Sequence, residues 1–384
     1  MLLSPIPLLE RLVAVDTQNP PGWEKDAAHL LGEEMQAFGM DVMHQEFRPG
    51  RMNVAARLVN GDGPTFCFNS HMDVVPFGDG WSSPPLTLMR RGNRLFGRGA
   101  CDAKGPIAAM VSAARALAEG RSAWRGTLMA VFVADEEASS EGAKRYVQDS
   151  PPIDFAVIGE PTSNGVVTAH KGSLRPLVRI RGLSAHSGTP HLGVNAVFKA
   201  ARLLGLIENH AEVIAKRQHS LCGSASLTIT RIAGGHADNV VPEHCDLLLD
   251  RRMVPGENED DARREIEDLL ALAHEAFEID AQVIEWRPTT GGPTETDSAH
   301  PIVAAACAAC HSHGGNGAEV QGFMGACDLV HFRSIGANGV VIGPGSLDVA
   351  HKPDEFVPVE ELEAAVGIYR DVALSMLHAR GATA

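Results

Sequence analysis

Histidines and carboxylates recur in this 384-residue chain just where apolar runs stop. His71 and Asp73 follow Pro64-Thr65-Phe66-Cys67-Phe68, while Glu136 and Glu137 follow Thr127–Val133. Glu160 follows Phe155-Ala156-Val157-Ile158, and His351 lies downstream of Gly343-Pro344-Gly345-Ser346. Asp102 occupies a glycine-flanked loop immediately before a helical pattern, so a turn delivers it inward. A neutral imidazole ligates zinc well, and a carboxylate two residues on can accept its other N–H. His-x-Asp alone is more often a satisfied polar pair; its weight comes from the acids and second histidine at equivalent places.

Three consecutive acids, Asp135-Glu136-Glu137, after an apolar strand are costly unless solvated or neutralised, and no Lys/Arg cluster lies close by in sequence. A pair of divalent ions would supply the charge. Two histidines and several carboxylates without cysteine suit zinc, with cobalt or manganese as substitutes. If Asp102 bridges two ions, they lie roughly 3.5–4 Å apart, the spacing of two-metal hydrolases.

The elements that must position these groups follow from periodicity. Ser4-Pro5 starts a first helix ending near Asp16, and Leu30, Leu31, Met35 and Phe38 share a face of a second. Strands are expected at Val42–Phe47, Asn53–Leu58 and the apolar runs above, with a helix ending near Glu119 that carries Ile107, Met110, Val111, Ala114 and Leu117. This alternation is the grammar of an α/β domain with a mostly parallel sheet. In open α/β sheets the chemistry collects at the carboxyl ends of strands.

From Leu174 the pattern becomes β-α-β-β-α-β: Leu174–Gly182 with Pro176 near an edge, Asn195–Lys216, Ser226–Ile232, His244–Met253, a helix capped by Asn258 with Ile266, Leu269, Leu270, Ala273 and Phe277 inside, and Ala281–Trp286. That order describes a ferredoxin-like α+β module inserted into the larger domain. The expected division is 1–173 with 288–384 for the larger domain and 174–287 for the insert. The larger domain then resumes with a helix from about His300, a strand at Gly339–Ile342 and a helix from Val359.

Composition narrows the function classes. A net charge of -15 with no basic face argues against nucleic-acid or anionic-membrane partners. The N-terminal apolar residues, broken by Pro5, Pro7, Glu10 and Arg11, read as an amphipathic helix and not a signal peptide, and no run reaches the ~18–20 apolar residues of a membrane span. Seven scattered cysteines suit free thiols in a reducing cytoplasm. Cys307-Ala308-Ala309-Cys310-His311 spells a haem-attachment pattern, but reads better as one helix with small residues packed inside. GPGSLD and GRGACDAKG lack the G-x-G-x-x-G register of a nucleotide loop, and neither a G-x-S-x-G elbow nor an H-E-x-x-H helix occurs.

Taken together, SHMDVVP, GRGACDAKGPIAAM, VADEEASSEGAK, IGEPT and GPGSLDVAHKPDEFV resemble the dinuclear zinc amidohydrolases, the family of acetylornithine deacetylase, succinyl-diaminopimelate desuccinylase, aminoacylase and the glutamate-releasing carboxypeptidases. The resemblance implies His71 and Glu160 on one zinc, Glu137 and His351 on the other, and Asp102 bridging. It implies Asp73 orienting His71, a cis peptide between Asp102 and Ala103, and Glu136 as the general base that takes a proton from the attacking water and returns it to the leaving amine. The insert resembles the family's lid and homodimerisation domain. There His186 would steady the oxyanion, and Asn239 and Arg252 would hold the substrate's backbone groups, Arg252 pairing an α-carboxylate in bidentate fashion. His170 and Lys171 receive no role.

The last signature is most similar to that of acetylornithine deacetylase, implying release of acetate from a small N-acyl amino acid, N-acetyl-L-ornithine. Gly325-Ala326-Cys327-Asp328 departs from the glycine-threonine pattern of many relatives' acyl pockets, which leaves desuccinylation, aminoacylase and dipeptidase activity open. A catalytically inactive metal-binding relative would lack a ligand or the base, and none is missing. A phosphoesterase would want a basic phosphate clamp beyond Arg252 and Lys171.

Overall fold

The apolar runs become neighbouring strands of one sheet. In the computed structural model, which describes residues 2–317 and 319–377, Thr65–His71 pairs in parallel with Gly126–Val133 from Thr65 opposite Thr127 to His71 opposite Val133. Phe155–Ile158 joins its other side, and Asn338–Val341 lies beyond that, both parallel. Gly126–Val133 is buried along its whole length, as expected of a strand covered on both faces. The sheet is parallel at its centre and antiparallel at its flanks. Asp41–Arg48 and Arg51–Asn60 extend it on one side in antiparallel register, and Val167–His170 turns antiparallel on the other.

Helices cover this sheet because their apolar residues fall on one stripe. Lys104–Glu119 buries Ile107, Met110, Val111, Ala114 and Leu117, and Val359–Met376 buries Leu362, Val366, Tyr369 and Val372 in the same core. Pro301–Ser312 carries Cys307 and Cys310 on one helix, with Cys310 buried among the apolar residues. All seven cysteines are free thiols. The first helix is shorter than expected, Ile6–Val13. Among the described residues no helix is long and apolar enough to cross a membrane.

Two compact units emerge: Met1–Ala169, Glu295–Gly322 and Cys327–Ala384 in one, His170–Thr294 and Phe323–Ala326 in the other. The second unit therefore begins earlier and ends later than the 174–287 expected, and it takes in a short segment from near residue 325. Its strands run in the order Ser226–Gly234, His244–Met253, Gly172–Arg181, Ala281–Arg287, all antiparallel. Two helices, Ala196–Ile214 and Glu259–Phe277, start at asparagines whose side chains accept backbone N–H groups: Asn195 from Val197 and Phe198, Asn258 from Asp261.

Two local expectations fail here. Pro176 lies in an interior strand and not near an edge; the sheet accommodates its missing N–H by breaking the ladder to His244–Met253 between Leu177 opposite Leu248 and Leu174 opposite Arg251. Phe277 is 42% exposed and is the last residue of its helix.

Phe132 is fully buried in the strand that leads to Asp135. Phe132→Ala is expected to cost about 3–5 kcal/mol, read as a lower urea midpoint at unchanged m-value.

Candidate metal centre

The aligned strand ends bring the expected residues to one place. His71 is the last residue of its strand, opposite Val133, and Asp135-Glu136-Glu137 follow Val133 directly. Asn69 pairs with Ile158, so Gly159-Glu160 leaves the sheet beside His71. Asp102 arrives from the loop before Lys104–Glu119, across a cis peptide to Ala103. His351, in a left-handed backbone conformation at φ 61, comes from the loop after Asn338–Val341.

Asp102 stands between the two imidazoles. Its Oδ1 is 3.1 Å from His71 Nε2 and its Oδ2 is 3.3 Å from His351 Nε2. Glu160 Oε2 lies 3.9 Å from His71 Nε2, and Glu137 Oε1 lies 3.0 Å from His351 Nε2. Ligand atoms of His71, Asp102 and Glu137 all fall within 4.8 Å of one another. Each oxygen of the shared carboxylate therefore serves a separate histidine–glutamate pair.

Asp73 acts differently from expectation. Its carboxylate is 3.7 Å from His71 Nδ1, while its backbone carbonyl is 3.0 Å from that nitrogen. The carboxylate instead accepts the backbone N–H groups of Glu136 and Glu137, each at 3.1 Å, and the Asn19 amide at 2.9 Å. Asp73 thus holds the loop carrying both glutamates, and fixes His71 through its main chain.

The first acid of that run, Asp135, faces elsewhere. Asp135 pairs with Arg51 at 2.7 Å, and Arg51 also binds buried Glu24 at 2.8 Å. The neutralising cation that sequence neighbours do not offer comes from 84 positions away. Glu136 and Glu137 are left to the site.

Burial and mutual repulsion set the electrostatics of the site. Burial, reinforced by Glu160, Asp328 and Glu137, holds Glu136 well above the usual carboxylate range. Burial and Asp102 raise Glu137, and burial, Asp102 and Asp328 raise Glu160 despite His71. Burial would depress His71, but Asp102, Glu160 and Glu136 raise it well above its ordinary value. Contacts with Asp102 and Glu137 push His351 up to about 10. Glu160 Oε1 is also buried without a hydrogen-bond partner, an arrangement that costs free energy unless something is bound there. The donor set of two imidazole nitrogens and several carboxylate oxygens fits two divalent ions of the zinc class.

Two supporting groups carried no signal of their own in the sequence. Glu355 Oε1 accepts the backbone N–H groups of Cys101 and Asp102 at 2.9 and 3.0 Å, and Arg98 pairs with Glu355 at 2.5 Å. A hint lay in two opposite charges near Asp102 and His351 in glycine- and proline-rich loops, but contact between them depends on the fold.

The remaining predicted residues belong to the second unit. His186 is exposed, and its Nδ1 accepts the Gly188 N–H at 2.9 Å. Asn239 is exposed, and its carbonyl accepts the Ser187 N–H at 2.9 Å. Arg252 is half-buried and chelated by Asp250, Nε to Oδ1 at 2.6 Å and Nη2 to Oδ2 at 3.2 Å. Its neighbour Arg251 is fully buried. His170 is buried with Nδ1 2.8 Å from the Lys171 carbonyl, and the Lys171 ammonium donates to the Ser224 carbonyl.

Known proteins resemble this chain in sequence and in architecture. The sequence profile described as Peptidase family M20/M25/M40 matches residues 67–375. An acetylornithine deacetylase of Vibrio vulnificus (strain CMCP6) is 29% identical over 364 residues, covering 92% of each chain. One of Myxococcus xanthus is 31% identical over 371 residues, again covering 92% of each. Among solved structures, aminopeptidase PepT of Bacillus cereus superposes with a TM-score of 0.79 at 20% identity, over 97% of this chain and 98% of that one. The YXEP protein of Bacillus subtilis, described as a dinuclear metal binding peptidase from the M20 family, gives 0.72 at 16% identity over 97% of each.

If the cluster is an ion site, adding Zn²⁺ or Co²⁺ to chelator-treated protein should raise Tm in a concentration-dependent way. An ion at roughly 100 times its Kd stabilises by about 2.7 kcal/mol per site. Calorimetry with and without chelator checks it, and Mg²⁺ should give less.

Proposed function

We propose that this chain, which belongs to peptidase family M20/M25/M40 and is an amide-hydrolysing enzyme, removes a small N-acyl group from an amino acid at a two-ion centre. The specific substrate we propose is N-acetyl-L-ornithine, cleaved to ornithine and acetate as a step of arginine biosynthesis in the cytoplasm. The observation that carries the reading is the Asp102 carboxylate set between two histidine–glutamate pairs. The names of the Vibrio and Myxococcus relatives support the acetyl group and the ornithine.

His71 and Glu160 would hold one ion, Glu137 and His351 the other, with Asp102 shared. Zinc is the ion the donor set favours, with cobalt or manganese able to substitute. When bound, such ions polarise an amide carbonyl and lower the pKa of water from about 15.7 to about 7.

Glu136 is the proton carrier. It has no ligand role in this assignment, and the Asp73 carboxylate fixes its backbone. Burial, the largest influence, raises its proton affinity, which suits a group that must take a proton from water and release it to a leaving amine. His186 would steady the developing oxyanion. Asn239 and Arg252 would hold the amino acid's backbone groups, and an α-carboxylate would take over guanidinium donors now bound to Asp250.

The second unit supplies the assembly we propose, a homodimer through the lid. Leu183, Leu192 and Phe198 are 56%, 65% and 71% exposed there, and Ser226–Gly234 is an edge strand with Ile232 exposed. Exposed apolar side chains beside an open strand edge suit burial against a second copy. Light scattering should report a dimer for the native chain and a monomer for Phe198→Glu.

Glu136→Gln should bind ions normally and lose kcat on the order of 10²–10⁴-fold. Near-normal turnover would remove Glu136 from the mechanism. The substrate is tested by comparing kcat/KM for acetylornithine, succinyl-diaminopimelate, acetylmethionine and a dipeptide with added zinc or cobalt. A preference for any but the first would reassign the acyl group and the amino acid.

A further inference from the structure

The structure assigns a positioning role to Arg98 and Glu355, a buried pair that sets where the Asp102 carboxylate stands relative to the loops carrying His71 and His351. The inference rests on the two-ion reading above and concerns what holds that centre in register.

Both side chains are almost completely shielded, Arg98 1% and Glu355 0% exposed. Burying such a pair is expensive, and well-packed apolar residues of similar size often stabilise a fold as well or better. Stability alone is therefore a poor reason for these residues. Their hydrogen bonds suggest another. Glu355 uses Oε2 for Arg98 at 2.5 Å and Oε1 for two backbone donors, the N–H of Cys101 at 2.9 Å and that of Asp102 at 3.0 Å. The Asp102 peptide is thereby pinned next to its own carboxylate.

Arg98 spreads the restraint to the other loops. Its Nη2 donates to the carbonyls of Pro76 and Phe77, each at 3.3 Å, in the loop that leaves His71. Its Nη1 reaches the carbonyl of Lys352 at 3.4 Å, the residue after His351. The Trp81 ring lies against the guanidinium, 5.1 Å from its carbon to the ring centroid, and donates its own N–H to the Phe77 carbonyl at 2.9 Å. One guanidinium thus touches the His71 loop, the His351 loop and, through Glu355, the Asp102 loop. A planar fork with several fixed donors can do this, and a lysine ammonium cannot hold the same set. Because Asp102 is shared, a small displacement of its backbone changes both ion sites at once. Supporting contacts of this kind typically carry 10–100-fold in metal affinity or activity.

The experiment compares the native chain with Glu355→Gln, Arg98→Lys and, as a control for simple destabilisation, Phe132→Ala. Each chelator-treated protein is titrated with Co²⁺, following binding by calorimetry and the visible absorption of the bound ion. The native chain should take up two ions. In both clamp variants, folded by circular dichroism, ion affinity should fall about 10–100-fold with a changed visible spectrum. At saturating Co²⁺, kcat should fall while KM stays within about twofold. Phe132→Ala should lose thermal stability yet bind ions with native affinity and spectrum. Native ion affinity and an unchanged spectrum in either folded clamp variant would overturn the proposal; should Glu355→Gln fail to fold, Arg98→Lys, which keeps the charge, decides it alone. Fewer than two ions on the native chain would instead overturn the two-ion reading itself.

Discussion

Repulsion among carboxylates crowded at the carboxyl edge of the sheet is the constraint to which the rest of the larger unit answers. Asp102, Glu136, Glu137 and Glu160 lie within each other's fields in a setting where burial already disfavours their charged forms. Such a cluster survives folding if protons or cations balance it, and if something rigid prevents the loops from relaxing apart. Parallel strands supply the rigidity: their ends are fixed by ladders that run back into an apolar core. The loops add a second level of restraint. Asp73 ties the Glu136–Glu137 turn to the His71 strand, Arg51 removes Asp135 from the competition, and Arg98 with Glu355 ties three loops together.

Much of this was legible in the amino-acid order because strand ends announce themselves. His71, Glu136, Glu137 and Glu160 each follow an apolar run too short for a helix and too continuous for a solvated strand. Parallel pairing then places all such ends on one edge. Asp102 and His351 come from irregular loops, and for them the resemblance of whole motifs carried more than periodicity could. The helices Lys104–Glu119 and Val359–Met376 were equally plain from their apolar stripes.

What sequence order hid was long-range electrostatic pairing. Nothing near Asp135 indicates Arg51, which reaches it because Arg51–Asn60 lies alongside Gly126–Val133 in antiparallel register. Nothing near Asp73 indicates that its carboxylate serves the next loop's N–H groups in preference to the imidazole. Pro176 misled for a related reason. A missing N–H forbids one ladder bond, and an interior strand can tolerate that where the ladder to one neighbour is interrupted and resumes beyond it in the same register. The short strands Val167–His170 and Gln321–Phe323 are too brief to show a period and exist by pairing with chain already in place.

The placement of Asn338–Val341 has a consequence for biosynthesis. That segment fills the gap between Phe155–Ile158 and Val167–His170, although translation separates it from both by the whole inserted module. A ribosome must therefore release the inserted module before the main sheet can close, leaving an open β edge on the nascent chain. The module, nearly contiguous, can condense while its host waits, since domains generally fold as units during synthesis. Because His351 emerges after that closing strand, nascent fragments that stop short of it lack the residue facing the second oxygen of Asp102, which ties completion of the ion-binding cluster to synthesis past the strand that closes the sheet.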